Sequence, residues 1–338
     1  MRCIHSPETW KTPSEHLSQL INHEWYKIQG ILQSKYSLFT HQFFTQNKIE
    51  AALPPLTTNS VSSPMGWGSD SCPLDILING KKTYLSDSAQ FLLEASLRLH
   101  EKGVYYILPS FRGEKLDQRH LNQFYHAEAE IYGNLDDIIG LVGRYVHFIT
   151  ENIYNVCAEY INKIVNDTSH IQKLLSLEGN FPKIRYEEAL NLLKYDNKAF
   201  EKIQNKYTAI NSYGEKLLIE EFGGVVWLTH MPWIVVPFYQ KKETGSEYSM
   251  TADLLMGIGE TVGCGERTKT FKELQESIKY HNVDESPYNW YLELKQKSPQ
   301  QTAGFGMGME RYLLWLTNTD DIRNCPLFLR DLEMEIYP

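Results

Sequence analysis

The chain has 338 residues, of which 42% are hydrophobic and 12% aromatic, and its 42 acidic and 33 basic residues give a net charge of −9. This composition allows a large folded core, and the acidic balance argues against a protein that coats nucleic acid electrostatically. The five cysteines form no CxxC pair, which argues against structural zinc and a disulfide framework. No apolar run approaches the ~20 residues of a membrane span, and the N-terminus lacks the apolar core of a signal peptide. We therefore expect a cytoplasmic protein without a membrane partner.

The N-terminal part of the sequence predicts a long helix followed by short strands. Apolar residues recur at helical spacing over residues 14–47, and a strand near residues 49–52 ends at the prolines of "LPPL". Residues 58–72 have the composition of a loop. The dipeptide Asn79-Gly80 then stands between two apolar runs, which is the commonest signal for a β-hairpin.

The rest of the chain mixes strands with a central helical part. Helical spacing returns at residues 88–102, and the segments 103–112 and 121–131 predict two strands joined by a polar connection. Helices are expected to dominate residues 134–220. Strands are then predicted at "GGVVWLTHM", "VVPFY" and "MTADLLMGIGETVGCGER", and a last strand and helix at "GFGMGMERYLLWL". Antiparallel hairpins with helices grouped around them predict an α+β fold and argue against alternating βαβ units.

Functional side chains collect on one face of the predicted hairpin at residues 110–133. Because side chains alternate between the faces of a strand, this face carries Arg112 and Glu114 on the first strand and Phe124, His126, Glu128 and Glu130 on the second. The connecting loop adds Arg119 and His120. A solvent-exposed sheet face is also polar, but it does not need an aromatic ring among paired carboxylates. Cations for phosphates, carboxylates for Mg²⁺ or an amino group, and a ring for a base together predict a nucleotide site.

Five segments, in order, resemble the motifs of one enzyme family. "FRGE…RHLNQF…EAE" is similar to the second signature motif of class II aminoacyl-tRNA synthetases, most closely of the asparaginyl and aspartyl branch, and "GFGMGMER" is similar to the third. "NKIEAALPPLTT" resembles the first motif, which forms the dimer interface in that class. "YLSDSAQFLLEA" resembles the amino-acid-recognition segment, and "ADLLMGIGETVGCGER" the metal- and substrate-binding strand pair. Five matches in family order make chance a poor explanation.

The resemblance implies a class II synthetase fold, in which helices flank an antiparallel sheet. It divides the chain into an N-terminal helical extension, residues 1–35, and a catalytic domain, residues 36–338, with a helical segment at about 134–220. It also implies a homodimer and the use of ATP with Mg²⁺. In addition, Gly304, Gly306 and Gly308 share one strand face, where the missing Cβ atoms would leave a slot for a flat base.

Site residues follow from the same resemblance. For catalysis it implies Arg112, Glu114 and Arg311, with Arg112 at the α-phosphate. For ATP it implies Arg119 and His120 at the outer phosphates, Phe124 and Arg311 on either side of the adenine, and Glu260 and Gly308 nearby. For the amino acid it implies Ser88, Gln90, Glu94, Glu128 and Arg267. For the metal it implies Asp253 and Glu260, helped by Glu128 or Glu130.

The sequence also departs from the synthetase pattern. The motifs begin too early for an anticodon-binding barrel of ~100 residues to precede them. Asp87 stands where synthetases usually have glutamine, Gln123 replaces a typical glutamate, and Val236 replaces a lysine usual in the asparaginyl branch. The residues expected to bind ATP match the synthetase pattern, whereas the features expected to recognise the amino acid and tRNA differ from it. This pattern favours a paralogue that retains adenylation but has a changed acid or acceptor.

Three functional hypotheses follow. The favoured one is an ATP-dependent ligase that activates an aspartate- or asparagine-like amino acid as acyl-AMP and transfers it to ammonia or a small amine, as in synthetase-derived asparagine synthetases. The second is a truncated asparaginyl-tRNA synthetase, and the acidic balance and the missing barrel argue against tRNA as a partner. The third is a non-catalytic binding protein, which the intact Arg112, Glu260 and Arg311 disfavour. The sequence leaves open which acid and carboxylate are activated and which nucleophile accepts the acyl group.

Overall fold

The structure, a computed structural model, describes residues 3–62, 72–203 and 207–333. Its α-helices are α1 (His16–Asn22), α2 (Glu24–Gln46), α3 (Gln90–Ser96), α4 (Leu135–Ile164), α5 (Ser169–Ser176), α6 (Tyr186–Leu193), α7 (Ser212–Glu221), α8 (Phe271–Tyr280), α9 (Asn289–Lys297) and α10 (Met309–Leu316). Its strands are β1 (Glu50–Ala51), β2 (Thr57–Thr58), β3 (Asp75–Ile78), β4 (Lys81–Leu85), β5 (Gly103–Phe111), β6 (Gln123–Tyr132), β7 (Lys183–Arg185), β8 (Phe200–Ile203), β9 (Tyr207–Ile210), β10 (Val225–Thr229), β11 (Thr251–Met256), β12 (Gly259–Glu266) and β13 (Thr302–Gly308).

An eight-stranded sheet forms the centre of the molecule, in the order β1-β5-β6-β13-β12-β11-β10-β7. Its inner pairs are antiparallel, and only the outermost pairs, β1 with β5 and β10 with β7, are parallel. The α+β prediction is therefore confirmed. Strand β13, close to the end of the chain, pairs with β6, so that Gly306 lies opposite Glu128 and Gly308 opposite His126. The hairpin and the glycine motif singled out in the sequence are neighbours in the sheet.

The two faces of this sheet have different environments. On β6 and β13, alternate residues such as Ala129 and Phe305 point into the hydrophobic core, where they meet α2, α4 and α10. Aromatic rings fill this core, and the ring centroids of Phe44 and Tyr105 lie 4.3 Å apart. The residues between them, such as Glu128, point to the opposite face. Helices α2, α4 and α10 therefore cover this face of the sheet, and the polar side chains of the motifs gather on the other.

The N-terminal helix differs from its prediction. Residues 14–47 form two helices instead of one, because His23 has an extended backbone and its Nδ1 accepts a hydrogen bond from the Trp25 N–H (3.2 Å), which begins α2. The expected boundary at residues 35 and 36 falls inside α2. Buried residues on both sides of it, from Trp25 to Phe44, belong to one core. The expected extension and the catalytic part thus fold together.

Other local predictions have mixed outcomes. The hairpin at Asn79-Gly80 is confirmed, and both residues have positive φ (50° and 77°), as a type I′ turn requires. The expected strand at "VVPFY" is wrong, because Pro232 and Pro237 leave only a single 3₁₀ turn between them. The helical segment at 134–220 also contains β7, β8 and β9. Most of the expected loop at 58–72, residues 63–71, lies outside the described residues. Within the described ranges, no helix has the length and apolarity needed to cross a membrane.

Candidate active site

Two adjoining cavities lie on the polar face of the sheet. The first, here called the nucleotide cavity, lies between β6, β13 and the loop that follows β5. It contains all the residues that the sequence assigned to ATP: Arg112, Arg119, His120, Phe124, Glu260, Gly308 and Arg311. Four residues line the second cavity as well: Arg112, His126, Glu260 and Gly306. The two cavities thus share a wall, and Arg112 is part of it.

Arg112 has unused hydrogen-bonding capacity at this wall. Its guanidinium lies 5.5 Å from the centroid of the Phe124 ring, and Phe124 in turn packs edge-on against His126 (4.7 Å). The buried Nε has no hydrogen-bond partner in the described part of the chain. Glu114 does not line either cavity; its carboxylate lies 3.8 Å from Arg112 Nη1 and accepts the Cys72 N–H (3.1 Å). Arg112 is therefore suited to an anion, with Glu114 behind it.

The other cations of the nucleotide cavity contact acidic partners. Arg119 forms an ion pair with Glu215 (2.9 Å), and His120 Nδ1 lies 3.0 Å from a carboxylate oxygen of Asp117. Arg311 donates to the Glu260 carbonyl (2.6 Å). Burial raises the pKa of Glu215 even though Arg119 opposes the shift. Nothing in the sequence indicated Glu215, because its helix α7 lies far along the chain from Arg119.

Asp253 and Glu260 converge on one point above β12. A shift in the pairing of β11 and β12 after Leu254 offsets Glu260. A Cβ placed at Gly263 would meet both side chains, 2.9 Å from Glu260 Oε1 and 3.6 Å from Asp253 Oδ1. Burial and the charges of Glu260 and Glu215 raise the pKa of Asp253 well above its usual value. The cluster is therefore short of positive charge.

This pair fits a magnesium ion that is bound together with ATP. Mg²⁺ typically takes one or two carboxylates from the protein and completes its shell with phosphates and water. The described residues contain no group of three or more histidine, cysteine or acidic side chains that could hold a metal by themselves. Glu130 is paired with Arg267 and Glu128 lines the second cavity, so the help expected from either carboxylate stays a prediction. Asp253 and Glu260 would hold the ion, which would offset phosphate charge.

Replacing Asp253 by asparagine is expected to stabilise the ligand-free protein at neutral pH. The raised pKa means that the folded protein binds a proton on the Asp253 carboxyl more tightly than the unfolded chain does. The free energy of unfolding therefore falls as pH rises above 3.8, the ordinary pKa of aspartate. Asp253→Asn removes that dependence, and it also reduces the thermal shift produced by Mg²⁺ with ATP. Thermal unfolding between pH 5 and 8 measures both effects, with the exposed Glu201→Gln as control. A variant that is less stable than wild type at pH 7.5 would contradict this account.

The second cavity, here called the amino-acid cavity, contains four of the five residues assigned to the amino acid: Ser88, Gln90, Glu128 and Arg267. Glu128 is buried and surrounded by donors: it accepts from Ser88 Oγ (2.6 Å) and Tyr106, and lies 3.1 Å from His126 Nδ1. Burial opposes its ionisation, but these hydrogen bonds lower the pKa of Glu128 below its usual value. A buried carboxylate of this kind can bind the ammonium group of an amino acid.

Arg267 is the buried cation of this cavity, and a carboxylate already neutralises it. Its Nε and Nη2 donate to the two oxygens of Glu130 (2.9 and 3.0 Å). Its Nη1 donates to Gln240 Oε1 (2.9 Å), and its Nη2 donates to Gln90 Oε1 (3.3 Å). Burial would lower the pKa of the guanidinium, but Glu130 raises it above its usual value. Gln240 was not found in the sequence, because it directly follows the segment that was wrongly assigned to a strand, and nothing in the sequence indicated that it is buried.

Gly304 serves a different purpose from the one expected. A Cβ at this position would overlap Glu130 Oε2 and lie 2.6 Å from Arg267 Nη2. The space that it leaves is therefore filled by the Glu130–Arg267 pair and not by a base. Gly306 and Gly308 do line the nucleotide cavity. The expected slot for adenine is thus limited to the second half of the glycine motif.

Glu94 does not line the amino-acid cavity, contrary to the expectation. Its side chain is 1% exposed, one helical turn beyond Gln90 on α3. There it forms an ion pair with Lys295 of α9 (2.5 Å) and accepts from Tyr291 and Thr302. Lys295 was missed, since one lysine among polar helix residues gives no signal of burial.

Comparisons with known proteins agree with this geometry. The family model described as tRNA synthetases class II (D, K and N) matches residues 17–331. The asparagine–tRNA ligase of Koribacter versatilis (strain Ellin345) is 28% identical over 97% of this chain and 75% of its own length. The asparagine–tRNA ligase of Malacoplasma penetrans (strain HF-2) is 30% identical over 88% of this chain and 69% of its own length. The structure of asparaginyl-tRNA synthetase from Pyrococcus horikoshii complexed with asparaginyl-adenylate is 25% identical, with a TM-score of 0.87, over 99% of this chain and 74% of that one.

The resemblance inferred from the motifs is therefore confirmed, and so is the fold that it implied. The match covers nearly the whole chain, and the residues of the motifs meet around two cavities of one sheet. The chain belongs to the family of class II tRNA synthetases (D, K and N), and it is an ATP-dependent ligase of the aminoacyl-adenylate-forming type, which uses ATP with Mg²⁺.

Proposed function

We propose that this protein activates the α-carboxylate of asparagine, or of an amino acid with a similar neutral amide side chain, as acyl-AMP. The observation that carries the proposal is the neutralised arginine of the amino-acid cavity. Glu130 accepts two hydrogen bonds from Arg267 (2.9 and 3.0 Å). The side-chain carboxylate of aspartate would face Glu130 and find no unpaired charge, whereas an amide can donate to a carboxylate and accept from a guanidinium.

The shared wall of the two cavities positions the reaction. With its ammonium group at Glu128, the amino acid directs its α-carboxylate toward Arg112. One carboxylate oxygen attacks the α-phosphorus of ATP, and the bond to the bridging oxygen breaks in line, so that pyrophosphate leaves with the electron pair. Arg112 offsets the charge that develops at the α-phosphate, and Arg119 and His120 bind the leaving phosphates. Positioning and charge neutralisation supply the rate, without a covalent intermediate on the enzyme.

The rest of the nucleotide is bound by side chains of the same cavity. The adenine lies between Phe124 and Arg311, because a flat guanidinium stacks well on an aromatic system. The phosphates of ATP compete with acidic side chains for these cations, as with Glu215 for Arg119. Asp253 and Glu260 would hold Mg²⁺, whose charge would offset that of the phosphate oxygens.

Two acceptors for the acyl group are candidates. The relatives are named asparagine–tRNA ligases, which favours a tRNA hydroxyl and reverses the order of preference from the sequence analysis. Ammonia or a small amine, giving an amide, is the second candidate. The net charge of −9 supports it, because surfaces that bind nucleic acid usually concentrate basic residues.

ATP–pyrophosphate exchange with a panel of amino acids tests the proposal. Asparagine is expected to support the fastest exchange, and exchange with aspartate is expected to be at least about tenfold slower. This factor is the effect of losing one charge-assisted contact. Absence of exchange with every amino acid would contradict adenylation. The acceptor is then identified by adding tRNA, or ammonia and small amines, and following the product by mass spectrometry. Stable aminoacyl-tRNA would exclude the amine candidate, and an amide formed without tRNA would exclude the other.

We also propose a homodimer formed through the outer face of α2. Leu38 on this helix is 51% exposed, and the half-exposed Tyr125 and Phe328 line a cavity beside it. Light scattering is expected to give twice the chain mass. Leu38→Asp combined with Phe328→Asp is expected to give monomers, because a charge buried in an apolar interface is strongly unfavourable. Leu192→Asp, an exposed leucine on α6, is the control and stays dimeric. A monomeric wild type would contradict the proposal.

A further inference from the structure

An ion pair lies behind the amino-acid cavity without touching it. Glu94 on α3 and Lys295 on α9 are each 1% exposed, and Lys295 Nζ lies 2.5 Å from Glu94 Oε1. Neither residue lines either cavity of the site. Burying two charges is unfavourable unless their geometry and hydrogen bonds are good. Because a buried ion pair adds little net stability, its contacts with the elements of the cavity matter more than its own energy.

The pair connects the elements that carry two cavity residues. Glu94 lies one turn from Gln90 on the same short helix. Lys295 Nζ also donates to the carbonyl of Thr268 (2.5 Å), the residue that follows Arg267. On the other side, Thr302 Oγ1 donates to Glu94 Oε1 (3.1 Å), and the Thr302 carbonyl accepts the Arg267 N–H (2.9 Å). The main chain at Arg267 is therefore held from both sides by this network.

The pair also acts on the charge of the cavity. Burial raises the pKa of Glu130, Arg267 and Lys295 oppose that shift, and Glu94 adds to it. The other cation close to Glu94 is Arg98, whose Nη1 and Nη2 lie 3.3 Å from Glu94 Oε1. Without Lys295, the Glu94 charge would favour protonation of Glu130. Arg267 would then face the cavity with an unpaired positive charge.

We propose that the Glu94–Lys295 ion pair is a positioning element that sets the amino-acid selectivity of the enzyme. It fixes Gln90 and Arg267 in place and keeps Arg267 neutralised by Glu130, so that a neutral amide side chain is preferred over a carboxylate. The inference rests on the proposed activation of an asparagine-like amino acid. It assigns selectivity to two residues that never contact the substrate.

Lys295→Met tests the inference by steady-state ATP–pyrophosphate exchange. The variant is expected to raise KM for asparagine at least about tenfold, since small displacements of binding groups have large effects. The preference for asparagine over aspartate is expected to fall at least about tenfold, because a free Arg267 attracts a carboxylate. KM for ATP stays within about threefold, since the nucleotide cavity is untouched. Lys297→Met is the matched control on the same helix, where Lys297 pairs with Glu293 at the surface, and it behaves as wild type.

A second variant separates charge from position. Glu94→Gln combined with Lys295→Met removes both buried charges, which is often tolerated by the fold. The double variant is expected to regain the preference for asparagine, because Glu130 keeps its charge. Its KM for asparagine is expected to stay raised, because the bond from Lys295 to Thr268 is lost. If Lys295→Met alone does not fold, the KM and the preference of the double variant test the inference.

Three outcomes would overturn the inference. Lys295→Met with the KM and preference of the Lys297→Met control would show that the pair is merely structural. A double variant with a wild-type KM for asparagine would show that the pair does not position the cavity residues. A wild-type enzyme that exchanges with no amino acid would remove the proposed function first, and the inference with it. The wild-type measurement therefore distinguishes failure of the function from failure of the inference.

Discussion

Arg112→Ala is expected to reduce ATP–pyrophosphate exchange by about 10²–10³-fold, which corresponds to about 3–4 kcal/mol of transition-state stabilisation. Arg112 lies on the wall shared by the nucleotide and amino-acid cavities, where the α-phosphate and the α-carboxylate must meet. Its closest acidic group, Glu114, is 3.8 Å away. The side chain is therefore available to offset charge that develops during the reaction.

The fold should tolerate this substitution, so the loss of activity can be attributed to catalysis. Arg112 makes one loose ion pair and a contact with Phe124, and both contribute little to stability. Lys115→Ala is the control on the same loop, where Lys115 is 78% exposed and forms an ion pair with Glu333. It is expected to keep wild-type exchange. If Arg112→Ala retained more than about a tenth of the activity, a role at the α-phosphate would be excluded.

Gly304→Ala is expected to destabilise the protein and to abolish amino-acid recognition. The new Cβ would overlap Glu130 Oε2 and come within 2.6 Å of Arg267 Nη2. Glu130 is fully buried, so the ion pair must shift or break to admit the new Cβ. Breaking a buried ion pair costs about 3–5 kcal/mol. Denaturant unfolding measures the loss of stability, and exchange measures a rise in KM for asparagine of at least about 100-fold.

Gly140→Ala provides the comparison for this substitution. Gly140 lies within α4, and the nearest atom to an added Cβ would be Arg144 Nη1 at 3.5 Å, an ordinary contact. Alanine is expected to stabilise the helix there by about 0.5–1 kcal/mol. If Gly304→Ala unfolded at the same denaturant concentration as wild type and bound asparagine normally, the Glu130–Arg267 pair would not be the reason for this glycine.

Strand alternation made the face of the site predictable from sequence. A period of two placed Phe124, His126 and Glu128 on one side of β6, and the structure confirms that all three face the cavities. The hairpin turn at Asn79-Gly80 was predictable for a similar reason, since few residues accept positive φ. Local rules of this kind depend on the backbone alone and not on distant parts of the chain.

Contacts between distant segments were not predictable in the same way. Glu94 was expected to face the amino acid, but a lysine about two hundred positions later draws it into the interior. Gly304 was expected to admit a base, but its space is filled by Glu130 of β6 and by Arg267, the residue that follows β12. Glu215 likewise comes from a separate helix. In each case the deciding partner is fixed by sheet order and helix packing.

The acceptor of the acyl group is where sequence and relatives lead to different preferences. The acidic balance of the sequence and the differences in its recognition segment favour ammonia or a small amine. The relatives are named as ligases for tRNA. Both candidates require the same first step, because an acyl-adenylate precedes either transfer. The first step therefore carries the central claim.

Isotope transfer from the amino acid to AMP tests that step most directly. Asparagine labelled with ¹⁸O in its α-carboxylate is incubated with the enzyme, ATP, Mg²⁺ and an acceptor, and the AMP is examined by mass spectrometry. Attack of the carboxylate on the α-phosphorus, followed by acyl transfer, leaves one labelled oxygen on AMP. The account predicts AMP that carries a single ¹⁸O per turnover. Unlabelled AMP, or ADP and phosphate as products, would contradict it.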